Sequence, residues 1–375
     1  MIKTTIATLL VVLALAGCQR AGSTALPVIK ARSNQADYRI GNECVRGNWR
    51  ISPHIAADSL ILPVFTEHEK FVFYTDQDSI TFDLSVHTVH AFYVSLNDTA
   101  MALTVVKAVK PPYKAILVDT VAVNKNLKFW YEANKGNEYL NRLRAEYPID
   151  SLVKDVPSDT DKAIAVLHWV HSQWSHNGNN EPRNNDAIAI LEEVKEGKNF
   201  RCVEYGIVAT ACLNAIGLKA RTLALKTSDV ETRNSGAGHV LLEVFLNDLQ
   251  KWALLDGQWD AMPVLGGRPL NAVEFQQAIA HNYTELEIRS LSNVSKRAYC
   301  TWIFPYLFYF DIAFDNRETM PKYAGLFEGN RKLMLVPLGA KHPVIFQGRN
   351  PIKECIYTSA YKDFYAPPME NYRQK

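Results

Sequence analysis

Runs of alternating apolar and polar residues fill the first third of the chain. Between Leu60 and about Asn126 the segments LILPVF, FVFYT, SITFDLSV, HAFYVSLN, ALTVVKAV and YKAILVDTVAV are rich in β-branched and aromatic residues, and Asp, Asn, Pro and Gly separate them. Short strands at regular spacing predict a small antiparallel sandwich or barrel. The period changes at Asn137. NEYLNRLRAEY, DKAIAVLHWVHSQW and DAIAILEEVKEG repeat their apolar positions at helical spacing, with Ser158 or Asp159 suited to cap the second. CVEYGIVATACLNAI is apolar nearly all round, as a helix buried on most faces is, and Gly217 supplies its stop. ARTLAL, a polar loop over 226–238, HVLLEVFL and KWALLDGQW follow, and helices before a sheet are the order of an α+β domain. From Tyr299 the composition returns to β, with YLFYFDIAF, RKLMLVPL and ECIYTSAY. Those last strands have three open placements: the sheet that follows the helices, the N-terminal β-region, or a third unit. The changes of pattern divide the chain into β-rich 34–130, mixed 131–290 and β-rich 291–375.

The start of the chain follows a different logic. Lys3 precedes an apolar run of 11 residues, Ile6 to Ala16, and the run ends in Leu15, Ala16, Gly17 and Cys18. At 1.5 Å per residue it is too short to cross a hydrocarbon core of about 30 Å, so it reads as an export signal. Small residues directly before a cysteine resemble the lipobox of bacterial lipoproteins. That resemblance implies removal of 1–17, lipidation of Cys18, a flexible tether over 18–33, and a location in the cell envelope at the periplasmic face of the outer membrane. The competing reading is an ordinary secretory peptide with an incidental cysteine. No other stretch approaches 18 uninterrupted apolar residues, so the expectation is a soluble body held at a membrane by its anchor.

Charge narrows the partners. Lys plus Arg total 41 against 39 for Asp plus Glu, a formal charge of +2 with no cationic run. This excludes nucleic acid as the main partner, because phosphate binding needs clustered cations. Beyond Cys18 there are five cysteines, Cys44, Cys202, Cys212, Cys300 and Cys355. An odd number leaves at least one thiol unpaired in the chain. Cys212 falls in the apolar helix and reads as packing. Pairing among Cys44, Cys300 and Cys355 stays open.

Cys202 is the thiol with chemical promise. With Asn199 as N-cap, Cys202 falls in the first helical turn, where unpaired N–H groups and the helix dipole favour a thiolate. Such a thiolate benefits from an imidazole that pairs with it and later protonates a leaving amine. His239 stands where the glycine-containing loop 235–238 meets a strand. If 247–250 forms the hairpin turn, residue numbers paired across the two strands sum to 497, so Leu241 faces Asp256. Asp256 then lies diagonal to His239 on one face, about 7–8 Å away between Cα atoms. A carboxylate there can orient the imidazole. A slip of one residue would move it to the other face.

The blocks RCVEYGIVATACLNAIGLKARTLAL, HVLLEV and KWALLDGQW, with Cys, His and Asp in that order, resemble the transglutaminase-like core of the papain-like cysteine enzymes. The resemblance covers roughly 161–275. It implies an α+β core of helices packed on an antiparallel sheet, flanked by the β-rich regions. It assigns Cys202 as nucleophile, His239 as general base and acid, and Asp256 as orienting acid. Acyl transfer from an amide or ester through a thioester follows, on a peptide, protein or cell-wall amide, with hydrolysis favoured over cross-linking and no cofactor. Trp174 becomes the candidate second oxyanion donor beside the Cys202 N–H. Two positions depart from the pattern: Gly257 stands where proline is frequent, and Phe200 and Arg201 precede the nucleophile without the usual glycine pair. The alternative is a non-catalytic envelope lipoprotein that keeps the fold and binds peptide or glycan.

Other polar residues point to structure rather than chemistry. His87 and His90 fall on opposite faces of a β-like run, and His168 and His171 share a helix face without further ligands at suitable spacing, so no metal site is expected. Glu204 and Glu243 read as hydrogen-bonding groups. Asp260 and Arg268 lie in the region beyond the hairpin, where substrate contact is conceivable.

Overall fold

The computed structural model describes residues 25–54, 58–124, 126–132, 136–317 and 326–368. The expected leader, Cys18 and the first part of the tether lie outside the described residues. The chain divides into two compact units, Met1–Lys110 and Pro111–Lys375.

In the first unit, burial alternates along the strands as the sequence pattern requires. In Ala100–Val109, for example, Ala102, Thr104, Val106 and Ala108 face inward. Two four-stranded sheets enclose one core, to which Ile29, Leu62, Phe71, Phe73, Phe92 and Val106 contribute. The Phe73 and Phe92 rings meet edge to face at 5.1 Å. The sheet containing Gln35–Ile40 is antiparallel throughout. The other corrects the expectation of a wholly antiparallel unit, because its outer strands Val28–Ala31 and Asp58–Pro63 run parallel to their neighbours. Parallel pairing is possible here because the chain leaves one sheet for the other between paired strands.

The second unit begins with a departure from the strand pattern. The run 113–123 forms no strand, and Asp119 makes only an isolated bridge to Ala360. Gln276 explains why: its side chain accepts the Ile116 N–H at 3.0 Å and donates to the Lys114 carbonyl at 2.8 Å, so backbone groups a ladder would use are already paired. Residues 111–130, grouped by pattern with the N-terminal region, therefore fall in the second unit.

Four helices, Glu138–Glu146, Asp159–Ser172, Ala187–Lys195 and Cys202–Ala215, share one core with a six-stranded sheet. Ser158 caps the second of these, accepting the Asp161 N–H at 3.0 Å, and Asp186 caps the third. Gly217, at φ 90°, follows the end of the fourth. The sheet runs in the order Lys251–Leu255, Gly238–Leu246, Ala220–Lys226, Tyr309–Ala313, Lys332–Leu335 and Cys355–Thr358. The C-terminal strands thus extend the sheet that follows the helices. Only the final pair is parallel. Leu242 pairs with Leu255 and Glu243 with Leu254, which is the register expected of a turn at 247–250.

A second departure lies just beyond residue 290. Where β composition was expected, Lys296–Ile303 is a helix followed by the 3-10 turn Phe304–Tyr306. Ser295 caps it through the Ala298 N–H at 3.0 Å, and Tyr299, Cys300 and Ile303 bury one face. Aromatic residues suit both conformations, and burial at helical spacing decided between them.

Candidate active site

Cys202 is the first residue of its helix, and Arg201 is the N-cap. Asn199 does not cap. Its side chain accepts the Ser175 N–H at 3.1 Å, its carbonyl accepts from Asn180, and the neighbouring Phe200 carbonyl takes the Asn177 N–H, so this stretch ties down the loop 175–180. The capping is done by Glu204, three residues in, whose carboxylate accepts the Arg201 N–H at 3.0 Å. Glu204 is fully buried, two residues after Cys202. Arg201 neutralises it, donating to its two oxygens at 2.7 and 3.3 Å, and also pairs with Glu181. The helix N-terminus therefore keeps its positive character next to Cys202.

Close approach of helix and sheet depends on glycine. A Cβ on Gly206 would lie 3.2 Å from the Leu241 carbonyl oxygen and 3.4 Å from Val240. The missing side chain lets the Cys202 helix press on the strand that carries His239. That strand is held from its other flank by the tip of the hairpin 345–351. Gln347 accepts the Ala237 N–H at 3.0 Å and donates its own N–H to Val230 at 2.8 Å, and a Cβ on Gly238 would lie 3.0 Å from the Phe346 ring.

His239 is buried, and its Nε2 donates to Asp256 Oδ2 at 2.9 Å, which leaves Nδ1 for the Cys202 side chain, its other polar partner. Burial alone would lower its pKa. The Asp256 carboxylate and then the Cys202 side chain outweigh burial and push it up to about 9. The Asp256 carboxylate has four donors. Oδ1 accepts the N–H groups of Gln258 at 3.0 Å and Trp259 at 3.3 Å, and Oδ2 accepts from His239 and from the Tyr299 hydroxyl at 3.2 Å. The Tyr299 phenol is fully buried, and burial followed by the Asp256 charge holds its pKa well above the usual value.

The turn 256–261 is braced by the helix Asp159–Ser172. His171 Nδ1 donates to the Gly257 carbonyl at 3.0 Å, and His168 Nδ1 meets Asp260 Oδ2 at 2.9 Å. The same Asp260 oxygen accepts from Ser292 at 2.7 Å and from the Leu291 N–H. The two histidines thus hold the turn from separate anchor points. Gly257 is explained by the same packing, since a Cβ there would lie 2.9 Å from the Cβ of Tyr205. Among the described residues no group of three or more His, Cys, Asp and Glu side chains is placed to hold a metal.

Trp174 is buried, stacks on Tyr205 at 4.2 Å, and has an indole N–H with no partner among the described residues. Its carbonyl accepts the Tyr205 hydroxyl at 2.6 Å. Glu243 belongs to a fully buried pair with Arg221, Nη2 to Oε2 at 2.7 Å, and Arg268 is exposed in a short strand paired with Val264 and Leu265. Sequence reasoning missed Tyr299, Trp302 and Tyr306. Trp302 lies edge-on to the His239 ring at 4.8 Å and 81°, and Tyr306 is 6.0 Å from it. Leu307 brings this segment in by bridging Lys226, whose other partner is Gly238. The aromatic cluster at 299–309 is the available signal, and its composition suits a strand as well as a helix.

A helix bearing a thiol packs against a hairpin bearing an imidazole and a carboxylate in a unit of mixed helix and sheet. Residues 149–257 match the transglutaminase-like superfamily. Among solved structures, the chain is similar to a suspected cysteine protease from Cytophaga hutchinsonii (12% identity, TM-score 0.27, 59% of this chain and 65% of that one). It is also similar to a suspected protease from Parabacteroides distasonis (11%, 0.23, 44% and 35%) and to red sea bream transglutaminase (12%, 0.25, 51% and 38%). This chain therefore spans less than two thirds of the length of each. Comparison with curated protein sequences gives no match.

Proposed function

We propose that this chain is a cysteine acyl-transfer enzyme, a peptidase or amidase rather than a cross-linking transglutaminase, anchored in the cell envelope through a lipidated Cys18. The observation that carries the reading is the single imidazole of His239 placed between the Asp256 carboxylate and the Cys202 thiol. In this reading the Cys202 sulfur, paired with the imidazolium, attacks an amide carbonyl of a peptide, protein or cell-wall substrate. The oxyanion receives the Cys202 N–H at the helix N-terminus and the unpartnered indole N–H of Trp174. His239 gives its proton to the departing amine while Asp256 holds the ring in place, and water then releases the acyl group from the thioester.

The full chain in detergent, mixed with a library of peptide esters and amides, should acquire acyl adducts on Cys202 that mass mapping detects. Absence of any adduct, with peptide or glycan binding retained in Cys202→Ala, would leave the binding lipoprotein instead. The anchor is tested separately: Cys18→Ser should move the chain to the soluble fraction, and retention in the membrane fraction would contradict lipidation.

A further inference from the structure

The acyl-transfer steps leave one feature beside the imidazole unused. Tyr299, Trp259, Trp302 and Tyr306 form a continuous aromatic row, with successive ring centres 5.5, 5.2 and 5.4 Å apart. Its far end is sealed, because Tyr299 is buried and bonded to Asp256. Its near end is half-open: Trp259, Trp302 and Tyr306 are only partly buried, and Trp302 and Tyr306 flank the His239 ring. Trp259, Trp302 and Tyr306 all lie outside residues 149–257.

The position of the row fixes what it can meet. His239 Nδ1 protonates the departing nitrogen, so whatever is bonded to that nitrogen lies on the imidazole side of the sulfur. The Cys202 N–H and Trp174 lie on the oxyanion side. Trp302 and Tyr306 are the aromatic rings packed on the imidazole that handles the leaving amine in that reading, with ring centres 4.8 and 6.0 Å from it. These rings present mainly apolar faces, and Lys296 of the same helix is engaged by the carbonyls of Tyr283 and Leu286.

We propose that Trp259, Trp302 and Tyr306 form the binding wall for the leaving-amine side of the scissile bond. The substrate class is a peptide whose residue there carries an aromatic or branched aliphatic side chain. The proposal rests on the acyl-transfer reading for its orientation, and it adds the selectivity.

The test uses product-like amines on the full chain in detergent. Phenylalaninamide, leucinamide, glycinamide and glucosamine are titrated against iodoacetamide alkylation of Cys202, and in parallel against intrinsic tryptophan fluorescence, which needs no reactive thiol. Phenylalaninamide and leucinamide should act at concentrations roughly 10- to 100-fold below glycinamide and glucosamine. Trp302→Ala and Tyr306→Ala should each bring that ratio toward one, with Trp302→Phe retaining most of it. Equal action of all four amines, strongest action by glucosamine, or an unchanged ratio in both alanine variants would overturn the wall. Failure of the acyl-transfer reading is seen separately, as Cys202 alkylating no faster than Cys212 in the absence of any amine.

Discussion

The strand Gly238–Leu246 carries two buried charge pairs four residues apart, and they behave differently. Glu243 meets Arg221 in a sealed site: both side chains are fully buried, the guanidinium lies 4.1 Å from the Trp252 ring, and its Nη1 donates to the Phe364 carbonyl at 2.9 Å. His239 meets Asp256 at the strand's other end, where the next polar neighbour is a half-exposed thiol. The sealed pair is closed off from solvent and serves to hold the fold together. The open pair has a titratable ring with one nitrogen fixed and the other turned to the Cys202 thiol, which is the arrangement the proposed acyl transfer would use.

Substitutions should separate the two ends. The largest effect is expected from Asp256→Asn, which keeps the shape but loses the charge that orients His239. Acyl transfer should fall about 10⁴-fold, by analogy with other orienting carboxylates, as read by adduct formation on Cys202. Glu243→Gln should leave Arg221 without its counter-charge and lower stability by about 3–5 kcal/mol in urea unfolding. Cys202 reactivity in the folded fraction should be retained. A loss of reactivity matching that of Asp256→Asn would erase the distinction between the two pairs.

The pH dependence follows from the raised pKa of His239. Folding favours the protonated ring, so this stabilisation is fully present below about pH 6.5, the unfolded value, and is lost as pH rises through about 9. Between pH 6 and 10 stability should drop by about 3 kcal/mol from this group, and His239→Asn should flatten that part of the profile. The smallest effect should come from Gly257→Ala. Its Cβ would press on Tyr205, at a cost of about 1–3 kcal/mol in thermal or urea unfolding. An unchanged melting temperature would show that the turn yields freely.

Much of this was legible in the sequence because it rests on local chemistry. The hairpin register followed from a turn at 247–250, and with it the diagonal placement of His239 and Asp256. The buried helix followed from apolar residues on every face. What stayed hidden depends on distant partners. Gln276 and the 113–123 run are some 160 residues apart, and nothing local in that run forecasts the capture of its backbone groups. The aromatic segment at 299–306 reads as strand until the buried face of its helix is known. Gly257 looked like a departure from the family pattern, and its reason is Tyr205, a residue on another element.

The most direct measurement is the rate of iodoacetamide alkylation at each cysteine of the full chain near pH 7, resolved by peptide mapping. Sulfur paired with the charged His239 should react at Cys202 at least about 100-fold faster than at the buried Cys212. Equally slow labelling of the two would contradict an activated thiol and, with it, the proposed chemistry.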